Sequence, residues 1–254
     1  IVFRLIPLPT KNITLFIPFG SVEKACESVS AVFRAGIIPS ALEFIERDAI
    51  DWTLKYTDVK LQINDDVKAH LLIEVDGNDM DVLYKECERI FEVMQEFECG
   101  EILLADSETQ KNQLWQLRRA IGEAVKSNSI YKEEDTVVPR AELAKLLKGV
   151  KAIGKQYGFQ SVCYGHAGDG NLHINIIKGE MSDEDWNTKL TLAIREIFEL
   201  TKSLGGTLSG EHGIGLVQKD YMDIVFCEKA LNLQKGIKNL FDPNGILNPG
   251  KILK

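Results

Sequence analysis

Two of the chain's four histidines lie in GHAGDGNLH, as His166 and His173. Asp169-Gly170 between them is a hairpin signal, because Asp and Gly tolerate the positive φ angles of a type I′ turn. Strands folded about that pair set Gly168 against Asn171, Ala167 against Leu172 and His166 against His173. Opposed residues share a face with Cβ atoms about 5 Å apart, so the two imidazoles could share one metal ion. Two hydrogen-bonded hairpin histidines are the plainer alternative. Asn175 falls on the His173 face, while Leu172, Ile174 and Ile176 alternate onto an apolar face that should meet the core. A third ligand is on offer in SGEHGIG (209–215), which carries Glu211 and His212 among glycines. Glycine lets backbone approach a ligand closely; a solvated polar turn would need fewer of them. Two histidines and one carboxylate leave coordination positions open, as a catalytic zinc or another divalent ion requires. In an extended segment only one of Glu211 and His212 points at the metal. The other is available for acid–base work, for which an imidazole is the better group near neutral pH.

LWQLRRAIGEAVK (114–126) reads as a helix with an apolar stripe of Leu114, Leu117, Ile121, Ala124 and Val125. Arg118 falls inside that stripe and Arg119 off it. Arg118 either snorkels at the stripe's edge or aims inward, where a guanidinium would clamp a substrate carboxylate in bidentate fashion. Lys132 in IYKEED could assist, although a solvated charged loop is the simpler expectation. In the tail FDPNGILNPGKIL, a chain of turns, Asn248 and Lys251 are candidate contacts to a cofactor edge.

The elements that must position these residues read as two similar halves. In the first, strands are expected at 13–19, 38–45, 70–75 and 101–105, with helices at 22–35 (capped by Ser21), near 48–56 and from Asp79 or Asp81 to about 97. A helix over 107–126 leads to the second half. That half has a short strand at 136–139, a helix at 140–157, the strands 160–166 and 171–177, a Ser182-capped helix to about 204 and an extended 207–209. Each half is β-α-β-β-α-β, so the fold class expected is α+β: two ferredoxin-like halves forming an antiparallel sheet with helices on one face, plus a C-terminal helical segment. The divisions expected are 1–12, 13–106, 107–215 and 216–254, the last with two short helices.

Bulk properties narrow the function. The 254 residues, 44% hydrophobic, can bury a substantial core. A net charge of −8 with no Lys/Arg-rich run argues against nucleic acid. No run of 18 apolar residues exists, so no transmembrane helix is expected. Five scattered cysteines without CxxC spacing suit reduced thiols and a cytoplasmic setting. The chain starts at Ile1 without Met and IVFRLIPLP reads as an exit from a preceding strand, which suggests a cut inside a longer polypeptide.

VCYGHAGDGNLHIN, GGTLSGEHGIG and FDPNGILNPGKIL, with PSALEFIERDAI, LWQLRRAIGEAVK and TVVPRAELAKLL in the same order, resemble the C-terminal domain of FAD-linked oxidases. That family includes glycolate oxidase flavoprotein subunits, D-lactate dehydrogenases and D-2-hydroxyglutarate dehydrogenases. The resemblance spans essentially the whole chain. It implies that His166, His173 and Glu211 hold a divalent metal, with zinc expected. It further implies that His212 takes the hydroxyl proton, that Arg118 clamps the carboxylate and that Lys132 and Asn175 make supporting substrate contacts. FAD would be held mainly by a separate upstream domain, with Asn248 at its edge, so the chain alone is expected to lack turnover. The substrate implied is a small 2-hydroxy acid, with room for an electron-transfer partner and a homodimer. Two alternatives stay open on the residues alone: a metal-dependent hydrolase using the same His, His, Glu set, and a non-catalytic binding module in which the histidines are structural.

Overall fold

A computed structural model describes residues 2–253; Ile1 and Lys254 lie outside the described residues. The fold is mixed, with eight α-helices and antiparallel β-strands among the described residues. It divides into two compact units: Ile1–Ser129 with Val162–Gly168, and Ile130–Ser161 with Asp169–Lys254.

The first unit is built on β1 (Lys11–Phe19), β2 (Ala41–Glu46), β3 (Ala69–Gly77), β4 (Leu103–Ala105) and the end of β6 (Gln160–Gly165). Their spatial order is β4-β1-β3-β2-β6, every pairing antiparallel. Ile13, Leu15, Ile17, Leu71 and Ile73 are fully buried; each such side chain contributes about 1.5–3 kcal/mol by leaving water. Ser21 caps α1 (Val22–Arg34) by accepting from the Lys24 amide, as expected. α2 is Arg47–Tyr56, α3 Met80–Gln95 and α4 Glu108–Asn128. Register places Glu43 against Leu72, Leu72 against Phe16, and Glu74 against Thr14 and Ala41, so these residues share one face of the sheet. α4 lies on that face: Trp115 donates to Glu74 at 2.8 Å and Arg118 to Glu43 at 2.8 Å.

The second unit pairs β5 (Tyr131–Val137) with β7 (Asn171–Ile177), and adds α5 (Leu143–Tyr157), α6 (Asp183–Ser203), α7 (Met222–Val225) and α8 (Glu228–Phe241). Ser182 caps α6 through the Asp185 amide. Thr207 makes an isolated bridge to Val137 rather than a strand. The strand expected at 136–139 runs instead over Tyr131–Val137, so YKEED is not a charged loop. Two of its acidic residues have donors or a cation close by: Gln218 and Lys132 for Glu134, and the 209–212 segment with Asn171 for Asp135.

The expected two-residue turn does not form. β6 ends at Gly165, Ala167–Asp169 makes a 3₁₀ turn and β7 starts at Asn171, a five-residue connection. A type I′ turn needs positive φ at both central residues; Gly170 has it (φ 76°), but Asp169 is absent from the positive-φ residues. Gly170 is drawn away by Val138, whose amide donates to its carbonyl at 3.0 Å; a Cβ there would meet Val138 O at 1.9 Å. His166 therefore sits in the connection and not on a strand.

Candidate functional site

In the second unit, His173 is the centre. Register sets it directly opposite Asp135, and Asn175 opposite Glu133, so these four share one face of the β5–β7 pair. Leu172, Ile174 and Ile176 take the other face and are buried to 1% exposure or less. His173 and Asn175 are buried as well, so β7 is covered on both faces. The His173 ring stacks on that of His212, with centroids 5.1 Å apart and planes inclined by 19°. His173 Nε2 lies 3.5 Å from Glu211 Oε1, and its Nδ1 lies 3.7 Å from Glu133 Oε1 and 3.8 Å from Asp135 Oδ1. Glu133, His173 and His212 each offer a ligand atom, all within 4.8 Å of one another. Imidazole nitrogens and carboxylate oxygens that converge so closely are the donor set a borderline divalent ion takes.

Asp135 makes that convergence possible. It is 1% exposed. Its Oδ1 accepts from the Asn171 carboxamide at 2.6 Å, and its Oδ2 from the Ser209 hydroxyl at 2.9 Å and the Glu211 and His212 amides at 2.8 Å each. Burial alone would raise the carboxyl; the hydrogen bonds from the His212 amide, Asn171, the Glu211 amide and Ser209 outweigh it and bring the pKa down to about 2. The loop at 209–213 has no regular structure of its own, so this carboxylate dictates its path. The Ser209 hydroxyl passes the order on by accepting from the Gly213 amide at 2.8 Å. Gly210 is required by close approach: a Cβ there would lie 1.8 Å from Asn171 Nδ2. Glu133, two residues from Asp135, has its carboxyl pushed up by burial and by the Asp135 and Glu211 charges, against His212 and Lys132.

The first unit holds the other candidates. Arg118 is 9% exposed in the apolar stripe of α4, with Leu114, Leu117 and Ile121. It does not snorkel; its Nε and one Nη lie 2.8 and 2.7 Å from Glu43 Oε2, and its Cζ stands 5.0 Å from the Tyr164 ring centroid. The other carboxylate oxygen of Glu43, Oε1, lies 2.8 Å from His166 Nδ1. Burial would raise the Glu43 carboxyl; the His166 hydrogen bond and the Arg118 charge hold it below its ordinary value instead.

The sequence names His173, Glu211, His212, Asn175, Arg118 and His166 as candidates; the first four lie together in the second unit, and Arg118 and His166 meet Glu43 in the first. The sequence places Lys132 with them, whereas the strand register turns Lys132 to the opposite face, where its Nζ lies 3.5 Å from the buried Glu134. Asn248 is in the tail at φ 47°, with its carboxamide taking Lys251 Nζ at 3.3 Å, in a cleft with Ile237, Leu247 and Ile252. Glu43, Glu133 and Asp135 were missed as functional candidates. The available signal was Glu43 alone, an acidic residue inside the strand expected at 38–45, where a buried carboxylate needs partners; Glu133 and Asp135 fall in the segment whose charge density reads as a loop.

A family model for FAD linked oxidases, C-terminal domain, matches residues 8–252. The chain is 32% identical over 254 residues to a D-lactate dehydrogenase of Anaerostipes hadrus, covering 98% of this chain and 54% of that protein. It is 32% identical to glycolate oxidase subunit GlcD of Bacillus subtilis, covering 99% and 53%. It is 33% identical over 223 residues to a D-2-hydroxyglutarate dehydrogenase of Stutzerimonas stutzeri, covering 84% and 46%. The chain thus spans about half the length of the curated relatives it matches. Among solved structures, substrate-bound p-cresol methylhydroxylase superposes with a TM-score of 0.70 at 15% identity, over 98% of this chain and 54% of that one. That likeness is one of fold. The family model, matching nearly end to end, places the chain in the FAD-linked oxidases, as their C-terminal domain.

Proposed function

We propose that this chain is the substrate- and metal-binding half of a flavin-dependent 2-hydroxy-acid dehydrogenase. The observation that carries the reading is the clustering of His173, Glu211 and His212, with Glu211 and His212 carried on a loop that Asp135 holds by its backbone. His166, His173 and Glu211 are the proposed ligands of a divalent ion, taken to be zinc. Their donor set, two imidazoles and a carboxylate, leaves positions open for substrate. When bound, the metal supplies positive charge beside the substrate hydroxyl and FAD supplies the hydride acceptor.

The chain's own residues do the rest. Arg118 receives the substrate carboxylate through its guanidinium fork. Asn175, on the His173 face, hydrogen-bonds substrate. His212, exposed enough to meet a ligand, takes the hydroxyl proton on a ring nitrogen. FAD is held mainly by a partner domain, with Asn248 at the cofactor's edge. Lys132 could contact substrate only if its side chain left Glu134. The relatives named for D-lactate, glycolate and D-2-hydroxyglutarate support a 2-hydroxy acid without choosing among them. Five free cysteines favour a reducing, cytoplasmic setting, and no described helix is long and apolar enough to cross a membrane.

The test is His173→Ala in the full-length protein, reconstituted with FAD and assayed against glycolate, D-lactate and D-2-hydroxyglutarate with a dye acceptor. Metal content is measured alongside. The expected result is loss of the bound divalent ion and a fall in turnover of about 10³-fold or more, the scale of losing one dominant electrostatic group. Unchanged turnover in a metal-free variant overturns the metal role. Turnover of an ester or amide without flavin would favour a hydrolase.

A further inference from the structure

We propose that Glu43 is a positioning residue with two clients, fixing the ring of His166 through Oε1 and the guanidinium of Arg118 through Oε2. The inference rests on the reading of His166 as a metal ligand and Arg118 as the carboxylate clamp, and deepens it.

The geometry is set by backbone. β2 pairs with β6 so that Phe44 opposes Gly165 and Ile45 opposes Tyr164. Glu43 immediately precedes Phe44 and His166 immediately follows Gly165, so the end of that pairing leaves the two side chains 2.8 Å apart. α4 lies on the same face of the sheet and delivers Arg118 from above. Glu43 itself is 5% exposed, so water does not compete for its oxygens.

Each contact has a chemical consequence. A carboxylate only accepts hydrogen bonds, so His166 Nδ1, 2.8 Å from Oε1, must be the donor. A neutral imidazole protonated on Nδ1 carries its lone pair on Nε2, the nitrogen that a metal then takes. Ligating histidines are commonly fixed this way by a carboxylate on the far ring nitrogen. On the other side, two nitrogens of Arg118 converge on Oε2 at 2.8 and 2.7 Å, and Tyr164 lies against the guanidinium. The arm is thereby held at one rotation, with part of its donor fork directed elsewhere. A structural ion pair needs no histidine, and an apolar pair of similar volume would serve stability as well. Here one carboxylate is divided between the two groups that chemistry separately requires.

Glu43→Gln in the full-length protein tests this. A carboxamide keeps the shape but offers one acceptor oxygen, so it satisfies one client at the other's expense. Selective ¹⁵N labelling of histidine, with His166 assigned by His166→Gln, reads the ring tautomer without any metal. Co²⁺ titration by its visible absorption reads the site, and steady-state kinetics with a 2-hydroxy acid read the clamp. We expect the wild-type Nδ1–H form of His166 to be lost or mixed, Co²⁺ affinity to fall about 10–100-fold, and KM to rise about tenfold with a smaller change in kcat. If Glu43→Gln does not fold, Glu43→Leu with Arg118→Met removes the buried charges together and still strips His166 of its acceptor, so the tautomer and Co²⁺ readings are taken there. In Glu43→Gln, an unchanged Nδ1–H tautomer with Co²⁺ affinity and KM both within about twofold of wild type overturns the proposal; in the double variant an unchanged tautomer and affinity do so. A wild-type protein that binds no Co²⁺ overturns the metal reading, and the tautomer alone then decides whether Glu43 positions His166.

Discussion

Glu43 and Asp135 are both buried carboxylates on strands, one in each unit, yet they organise their surroundings differently. Glu43 binds two side chains, His166 and Arg118. The backbone that delivers Glu43 and Arg118 is regular, β2 and α4, and would keep its path without the carboxylate. Asp135 binds one carboxamide, one hydroxyl and two main-chain amides. Those amides belong to Glu211 and His212 in a segment with no ladder of its own, so the carboxylate substitutes for secondary structure. The first unit needs its carboxylate to choose rotamers; the second needs one to give its loop a shape. A loss at Glu43 should therefore be chemical and local, and a loss at Asp135 conformational.

The largest effect expected is that of Asp135→Ala. It removes an acceptor of the Ser209 hydroxyl and of two main-chain amides, each group costing about 1–3 kcal/mol if it stays buried, while the Asn171 carboxamide keeps the Thr136 carbonyl at 3.1 Å. Partial exposure of the loop would relieve some of this, so a destabilisation of about 3–5 kcal/mol is expected in urea unfolding. Amide exchange at 211–213 should accelerate as well. In Glu43→Gln the β2 amides, bonded to β3, should keep their protection. Equal backbone loosening in the two variants would break the distinction.

A second probe asks whether the loop tolerates any change in path. Gly210→Ala places a methyl 1.8 Å from Asn171 Nδ2 and 3.1 Å from Asp135 Oδ1. Overpacking of that kind costs about 1–3 kcal/mol, and it should weaken metal binding because Glu211 follows directly. Gly20 in the first unit is the control: a Cβ there meets nothing nearer than Asp66 O at 3.6 Å, so Gly20→Ala should stay within about 0.5 kcal/mol. A Gly210→Ala protein as stable and as metal-competent as wild type would show that the loop is not held tightly.

The same contrast explains what was legible in the sequence. β-branched runs such as ITLFIPF and HLLIEV, the caps Ser21 and Ser182, and the apolar stripe around Arg118 are local signals, and the elements appear where they point. His173 and Asn175 could be set on one face by period-two alternation alone. The five-residue connection at 166–170 was not legible, because its geometry is decided by Val138, far away in sequence. Charge density is a local cue, and it makes YKEED read as a solvated loop. Its strand character depends on partners scattered across the chain: Gln218 for Glu134, and the 209–212 segment for Asp135. Glu43 was hidden for the same reason: in ALEFIE it occupies an ordinary polar position of a strand, and only long-range pairing to His166 and Arg118 gives it a role.

Acid provides the finest separation of the two units. His70 in β3 is 2% exposed and stacks on Phe16 with ring centroids 4.1 Å apart. Burial, with a smaller push from the Arg47 charge, lowers its pKa from 6.5 to about 3. A depressed pKa means that the unfolded chain takes up a proton before the folded one does. The stability this neutral imidazole contributes is therefore complete above pH 6.5 and is lost as pH falls toward 3, by at most about 1.4 kcal/mol per pH unit. Asp135 follows the same sign but begins lower: its pKa drops from 3.8 to about 2, so its contribution declines only across that window. On acidification from neutrality the first unit should weaken before the second. Urea unfolding of wild type and His70→Phe at half-unit steps from pH 7.5 to 4.5 measures it. The variant should lose up to one proton's worth of slope below pH 6.5, with the aromatic stack on Phe16 retained. Amide protection in β3 should fall with pH in wild type while that of the Glu211 and His212 amides holds. An identical slope in the two proteins would remove His70 from this role and leave the acid response of the first unit to other groups.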